Sequence, residues 1–261
     1  MVLKKLKSLL GSSPNAPRAR TGVATRETLL NPDAPFCAIG DAHGRLDLLA
    51  PLYDRIRATY GADIPVVFLG DFVDRGPESA GVLRMVRDLN MARPDVDIAL
   101  TGNHEKMMIE FVDDPAGKGA RWLTFGGIET LHSFGISQNS IRYDAEDALE
   151  AADALEDALP DGMLDWLRTL PATWVSGNMH CVHAGMDPDI AADAQKTKVM
   201  INGHPNFLTR ARQDDVTVVH GHTVMQEAAV WDGRVSLDTG AYLNGRLTAA
   251  YIEKGTCTFL T

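Results

Sequence analysis

Phe36-Cys37-Ala38-Ile39-Gly40-Asp41-Ala42-His43-Gly44 is a short apolar run that ends abruptly in a carboxylate and an imidazole. The same design returns about 30 residues later, where Val66–Leu69 precedes Gly70-Asp71-Phe72-Val73-Asp74-Arg75-Gly76. It returns a third time where Asp97–Leu100, interrupted only by its first residue, precedes Gly102-Asn103-His104-Glu105. Runs of this length and composition read as buried strands. The intervals between them hold a crossover helix and its loops, so three parallel strands can deliver their terminal side chains to one sheet edge. The pattern predicts an α/β fold with a metal-holding pocket at the strand ends.

Working outward, Leu46–Tyr60 reads as a helix that accommodates Pro51 in an early turn or starts slightly later. Glu78–Asn90 carries apolar residues at helical spacing, and Lys106–Asp113 begins a third helix. Gly117–Gly135, with Trp122 and Phe125, reads as a folded cap or rim near the pocket. Asp144–Leu159 is an acidic, alanine-rich helix whose carboxylates face solvent, and Gly162–Leu170 is another helix that stops before Pro171. Strand character returns at Met179–Val182, ahead of His183-Ala184-Gly185, and at Val216–Val219, ahead of His220-Gly221-His222-Thr223. Short strands with tight turns at Asp232-Gly233 and Asn244-Gly245 complete the chain. The expected organisation is a loose leader over 1–30 and a single domain over 31–261, with a helical cap-like region at 106–170.

The 261 residues are 45% hydrophobic, with 23 glycines, which suits an α/β enzyme and excludes a fibrous chain. A formal charge of -10 disfavours broad binding to nucleic-acid polymers. Three dispersed cysteines, Cys37, Cys181 and Cys257, make neither a disulfide scaffold nor a zinc knuckle, and the first two read as buried small side chains. No stretch is long and apolar enough to span a membrane. The basic, apolar opening Met1–Leu10 is too short for a signal peptide, so a cytoplasmic location is expected.

Asp41 and His43 have the separation that lets both reach one ion from a single strand-to-loop turn. Asp71 occupies the corresponding end of the next unit and can bridge to a second ion. Asn103 adds a neutral oxygen, and His183 and His222 add nitrogens from distant strands. The expected ligand sets are Asp41, His43 and Asp71 for one cation, and Asp71, Asn103, His183 and His222 for the other. Mixed oxygen and nitrogen donors suit divalent manganese, iron or zinc. Mn²⁺ is the first choice for reconstitution in vitro, with cobalt and magnesium also admitted.

The set of motifs resembles the calcineurin-like metallophosphoesterases and, within them, the serine/threonine phosphoprotein phosphatase family of bacterial type. GDAHG at 40–44, GDFVDRG at 70–76, GNHE at 102–105, HAG at 183–185 and GHT at 221–223 carry the likeness, which extends over 36–252. It implies two packed central mixed β-sheets flanked by helices, with a metal pair at one sheet edge. It also favours His183 over His180 and His222 over His220 as ligands. A metal-bridging water would attack phosphorus in line with the leaving group, and no protein nucleophile would be needed. By the same resemblance His104 protonates the departing oxygen while Asp74 orients its ring. Arg75 should bind non-bridging phosphate oxygens through its planar donor fork.

One segment departs from the pattern. Relatives place a further phosphate-binding arginine in a stretch resembling LLWIRxxFL, but Val199–Leu208 has none. Arg210 could swing back as a substitute, or Asn202 or His204 could make a weaker contact. His132, His180, His204 and His220 otherwise read as packed, hydrogen-bonded or exposed side chains. The leading functional expectation is a serine/threonine protein phosphatase acting on a phosphorylated protein or a small phosphoester. The alternatives are a symmetrical bis(5'-nucleosyl)-tetraphosphatase and a catalytically silent phosphoprotein-binding module.

Overall fold

The computed structural model describes residues 26–137 and 144–261. Residues 1–25, most of the expected leader, lie outside that range. Residues 26–30 run against the body of the protein: the Arg26 backbone N–H donates to Asp232 at 3.0 Å, and the Thr217 hydroxyl donates to the Leu29 carbonyl at 2.6 Å.

The first strand, β1 (Phe36–Ile39), leads into helix α1 (Leu46–Tyr60), then β2 (Val66–Phe68), α2 (Ser79–Ala92), β3 (Asp97–Ala99) and α3 (Asn103–Asp113). Pro51 sits inside α1, so the helix forgoes one intrahelical hydrogen bond there. A 3₁₀ segment (Lys118–Phe125) precedes α4 (Gly127–Ser133), α5 (Ala145–Ala158) and α6 (Met163–Thr169). Strands β4 (Thr173–Ser176) and β5 (Met179–Val182) follow, then α7 (Thr197–Asn202), β6 (Thr217–His220), β7 (Ala229–Trp231) and β8 (Arg234–Ser236). The chain closes with α8 (Ala241–Asn244), β9 (Ala249–Glu253) and β10 (Thr256–Leu260).

Among the described residues the strands make two mixed sheets, ordered β10-β9-β1-β2-β3 and β4-β5-β6-β8-β7. Strands β1, β2 and β3 are parallel, as are β5, β6 and β8, with antiparallel strands at the flanks. Alternation along the strands explains why the runs are apolar throughout. Cys37, Ile39, Val66, Phe68 and Ala99 pack into a core with α1, α2, α3, α5 and α6. Phe36, Ala38, Val67, Leu69, Ile98 and Leu100 point the other way, onto Met179, Cys181, Val219, Val235 and Leu237 of the second sheet. A third cluster, with Val182, Met186, Met200, Phe207 and Val218, covers the second sheet's outer face. This is the expected arrangement of two packed sheets flanked by helices.

Register brings the strand ends level. Ile39 lies opposite Phe68, which lies opposite Ala99, so the loops holding Asp41, Asp71 and Asn103 leave one edge side by side. Cys181 lies opposite Val219 in the second sheet, and the Gly221 N–H donates to the His183 carbonyl at 2.8 Å. The polar first residue of β3 also has a reason: buried Asp97 accepts from Tyr53 at 2.8 Å, from Arg93 at 2.7 Å and from Arg57.

Two local expectations change. Helix α3 begins at Asn103 rather than Lys106, because the Glu105 carboxylate accepts the Gly102 N–H at 2.8 Å and caps the first turn. The motif is therefore itself the helix start. Asp232-Gly233 makes the expected hairpin turn between β7 and β8, whereas Gly245 in left-handed backbone terminates α8 instead of joining two strands. In α5 the buried stripe runs through Ala148, Ala151, Ala152 and Leu155, with Glu146, Glu150, Asp153, Glu156 and Asp157 exposed as expected.

Candidate metal centre

Short loops after β1, β2, β3, β5 and β6 converge where the edges of the two sheets meet. Two overlapping groups of donors gather there: His43, Asp71 and His104, and Asp71, His183 and His222. Within each group the donor atoms lie within 4.8 Å of one another, and Asp71 belongs to both. Its two oxygens face in different directions. Oδ2 lies 3.4 Å from His43 Nε2, and Oδ1 lies 3.3 Å from His183 Nε2. Asn103 Oδ1 and His222 Nδ1 stand 3.0 and 3.1 Å from that same His183 nitrogen. Such donor-to-donor spacing is what cations about 2.1 Å from each ligand impose on neighbouring corners of their shell.

The histidines are aimed by their other ring nitrogens. His43 Nδ1 pairs with the Val73 carbonyl at 2.7 Å and His183 Nδ1 with the Leu69 carbonyl at 2.9 Å, which turns both Nε2 lone pairs inward. Backbone conformation does the rest. Among the described residues, the non-glycine positions with positive φ are His43, Asp71, Asp74, Arg75, His222 and Asp232, and all but the last belong to this site. Left-handed backbone is costly for such side chains and persists where surrounding contacts enforce it. Gly221 shows one such constraint, since a Cβ there would collide with the Asp41 carboxylate.

Glu105 fixes the loops after β2 and β3 to one another. Its Oε1 accepts the N–H groups of Phe72 and Val73 at 2.7 and 3.3 Å, and its Oε2 those of Asp71 and Gly102 at 2.9 and 2.8 Å. Asp41 ties the loop after β1 to the loop after β6. Both of its oxygens accept the His222 N–H, at 3.1 and 2.9 Å, and it joins neither compact donor group.

The electrostatics fit a cationic occupant. Burial, then the neighbouring Asp238, pushes Asp41 well above the usual carboxylate range. Burial and Asp71 raise Glu105, and burial brings Asp238 to about 6. Burial also acts to raise Asp71, but His183 and the other imidazoles hold it well below the usual range. Burial drives His43 down to about 3 and His222 to about 4, leaving neutral rings suited to ligation. Burial acts to lower His183 too, but Asp71 outweighs it and the value rises to about 10. Buried carboxylates and neutral imidazoles turned toward one another make a donor set for divalent cations, which would offset the cost of charging Asp41 and Asp238 there. The chain thus carries a dinuclear metal-binding His/Asp cluster.

At the edge of the first group, His104 Nδ1 contacts Asp74 Oδ2 at 2.5 Å, and Arg75 reaches His43 Nε2 at 2.8 Å and His104 Nε2 at 3.0 Å. Asp74 is completely enclosed. Trp122 Nε1 and the Thr130 hydroxyl each donate to it at 2.8 Å. Burial opposes charge on His104, yet Asp71 and Asp74 outweigh it and raise its pKa. Tyr242 supports the cluster from below, with its ring 4.6 Å from the Arg75 guanidinium carbon and edge-on to His43. Trp122, Thr130 and Tyr242 were not identifiable from local sequence as partners of this site. A Trp–Gly-rich stretch and the residues after Leu237-Asp238-Thr239-Gly240 were the only signals.

The structure does not bring Arg210 to the site. Its guanidinium pairs with Asp189 at 2.7 Å on the surface. Of the proposed substitutes, Asn202 lines the cavity, while His204 turns toward Asp187 at 3.6 Å. His180 and His220 stay out of the donor groups; His220 is buried against Phe207, bonded to Ser236 at 2.8 Å. A cavity of about 770 Å³ opens from the cluster between α3 and α7, its walls including Arg75, His104, Ile109, Phe125, Ile201 and His222.

Residues 34–249 match the sequence profile of the calcineurin-like phosphoesterases. A symmetrical bis(5'-nucleosyl)-tetraphosphatase of Thioalkalivibrio sulfidiphilus is 30% identical over 191 residues, covering 68% of this chain and 57% of that protein. An asymmetrical bis(5'-nucleosyl)-tetraphosphatase of Bacillus mycoides is 24% identical over 234 residues, covering 80% and 87%. The matches to symmetrical enzymes span about half of those proteins' lengths. A crystal structure given as a candidate diadenosine tetraphosphatase shares the fold, with a TM-score of 0.60 at 21% identity over 89% of this chain and 96% of that one. Among the described residues no helix is long and apolar enough to cross a membrane.

Proposed function

The chain belongs to the calcineurin-like phosphoesterases, and from that membership we propose that it is a metal-dependent bis(5'-nucleosyl)-tetraphosphatase of the symmetrical type. The observation that carries the chemistry is the shared Asp71, whose two oxygens serve two donor groups beside a buried His104–Asp74 pair. The choice of substrate follows the relatives, which are named for dinucleoside tetraphosphates, and it replaces the protein phosphatase expected from the motifs alone.

His43, Asp71, Asn103, His183 and His222 would hold two divalent cations, with Asp41, which accepts the His222 N–H, as the further expected ligand. When bound, the cations supply Lewis acidity and lower the pKa of a water. Arg75, anchored over Tyr242, offers two N–H donors to non-bridging phosphate oxygens as they gain charge. His104 holds a proton at Nε2 and delivers it to the departing phosphate oxygen, while Asp74 fixes Nδ1–H and stabilises the charged ring. The raised pKa of His104 suits an acid at neutral pH. Asp74 in turn keeps its orientation through Trp122 and Thr130.

The test is product analysis with the full chain reconstituted with Mn²⁺, and H104N as control. Diadenosine tetraphosphate should yield two molecules of ADP, with H104N slower by at least 100-fold. Formation of ATP and AMP would replace the symmetrical assignment with the asymmetrical one. Release of phosphate from phosphoserine and phosphothreonine peptides, with the dinucleotide left intact, would overturn the proposal in favour of a protein phosphatase.

A further inference from the structure

The cavity leading from the metal cluster is far larger than one phosphate group requires, and its charge is uneven. Glu110 and Asp113 line it, but each is matched: Glu110 accepts from Arg121 at 2.7 Å, and Asp113 from Arg168 at 2.7 Å. Lys106 of α3 and Lys198 of α7 also line it, and among the described residues neither has a carboxylate partner within 4 Å. The nearby Glu105 is spent on backbone N–H groups. After pairing, two lysines from opposite walls remain, with Arg75 at the metal edge, as cavity cations without a carboxylate partner among the described residues.

Lys198 also bears on the missing arginine. Asn202, one of the weaker substitutes within Val199–Leu208, is in α7, but its side-chain amide donates back to the Lys198 carbonyl at 3.0 Å. Lys198 lies four residues earlier and lines the same cavity, so its ammonium can reach an anion that Asn202 engages weakly. Lys106 follows His104 by two residues and is half-buried, which places a second cation next to the reacting centre.

We propose that Lys106 and Lys198 form a second anion subsite, which holds the phosphates of a linear polyphosphate chain beyond the one under attack. The inference rests on the reading of the metal edge as the site of phosphoester hydrolysis. It deepens that reading by making a chain of phosphates, rather than a lone phosphomonoester, the group that fills the cavity.

The test uses the Mn²⁺-loaded full chain and K106A, K198A and the double variant. Inhibition of p-nitrophenyl phosphate hydrolysis is measured for tripolyphosphate and for orthophosphate at constant free Mn²⁺. Tripolyphosphate should inhibit wild type more tightly, and each substitution should reduce its advantage over orthophosphate about tenfold, or about 1.4 kcal/mol. K106R and K198R should restore most of it. An advantage that survives in the double variant, or equal weakening of both inhibitors, would overturn the subsite. If the chain hydrolyses no p-nitrophenyl phosphate, calorimetric titration of tripolyphosphate onto metal-free protein makes the same comparison among the variants. Tripolyphosphate carries no nucleoside, so an intact tripolyphosphate effect with no cleavage of diadenosine tetraphosphate would remove the dinucleotide reading alone.

Discussion

Replacing Glu105 with glutamine tests how the metal-bearing loops are held. The substitution preserves shape, so it opens no cavity, but it converts one carboxylate oxygen into a donor. Each oxygen receives two backbone N–H groups, Phe72 with Val73 or Asp71 with Gly102. Either orientation of the amide therefore leaves two N–H groups facing an NH₂. Buried donors left unsatisfied cost about 1–3 kcal/mol each, which gives about 2–6 kcal/mol for the pair. Relief of the buried charge, which Asp71 also opposes, offsets part of this, so about 2–4 kcal/mol should remain. Urea unfolding of E105Q beside wild type measures it as a lower midpoint at unchanged slope. A loss below about 1 kcal/mol would refute the idea that this carboxylate organises the two loops.

Asp97→Ala should destabilise the chain by about 3–5 kcal/mol in the same assay, because it strands Arg57 and Arg93 beside a buried strand end; a change within 1 kcal/mol would argue against the ion cluster's importance. His220 is buried and its pKa depressed to about 3, so the unfolded chain binds its proton first as pH falls from about 6.5. That share of stability is complete above pH 6.5 and declines toward pH 3, reaching a loss of about 3 kcal/mol near pH 4. H220Q should accordingly show a flatter stability profile between pH 6.5 and 4, and an unchanged slope would sink the assignment. Tyr242→Ala should weaken phosphate-ester binding by about 3–10-fold in KM, with Y242F near wild type, if the ring beneath Arg75 contributes the usual 0.5–1.5 kcal/mol; equal losses in both variants would implicate the hydroxyl instead.

Much of this centre was legible because strands buried on both faces leave a plain signature, and each ligand motif follows one. Phe36–Ile39 and Met179–Val182 are strands over the residues read from sequence. What stayed hidden depends on contacts between distant segments. Nothing near Arg210 announces that Asp189 will capture it, and nothing near Trp122 announces Asp74. Helix α3 was read three residues late because its first turn is built from the polar residues that looked like a loop. Lys106 and Lys198 resemble ordinary surface lysines until the pairing of Glu110 and Asp113 is known.

The two donor groups differ in their mechanical origin. His43 and Asp71, with Asp41 close by, all leave strands of the first sheet, whereas Asp71, His183 and His222 bridge both sheets. The layer between the sheets is apolar packing, which resists separation more than sliding. A small shear along that seam would leave one cation seat whole and pull the other apart. The seats should therefore fill and empty in sequence, passing through a singly loaded protein, and metal titration followed by calorimetry would show two steps rather than one. The seam makes the second seat a gauge of how firmly the two halves of the fold are joined.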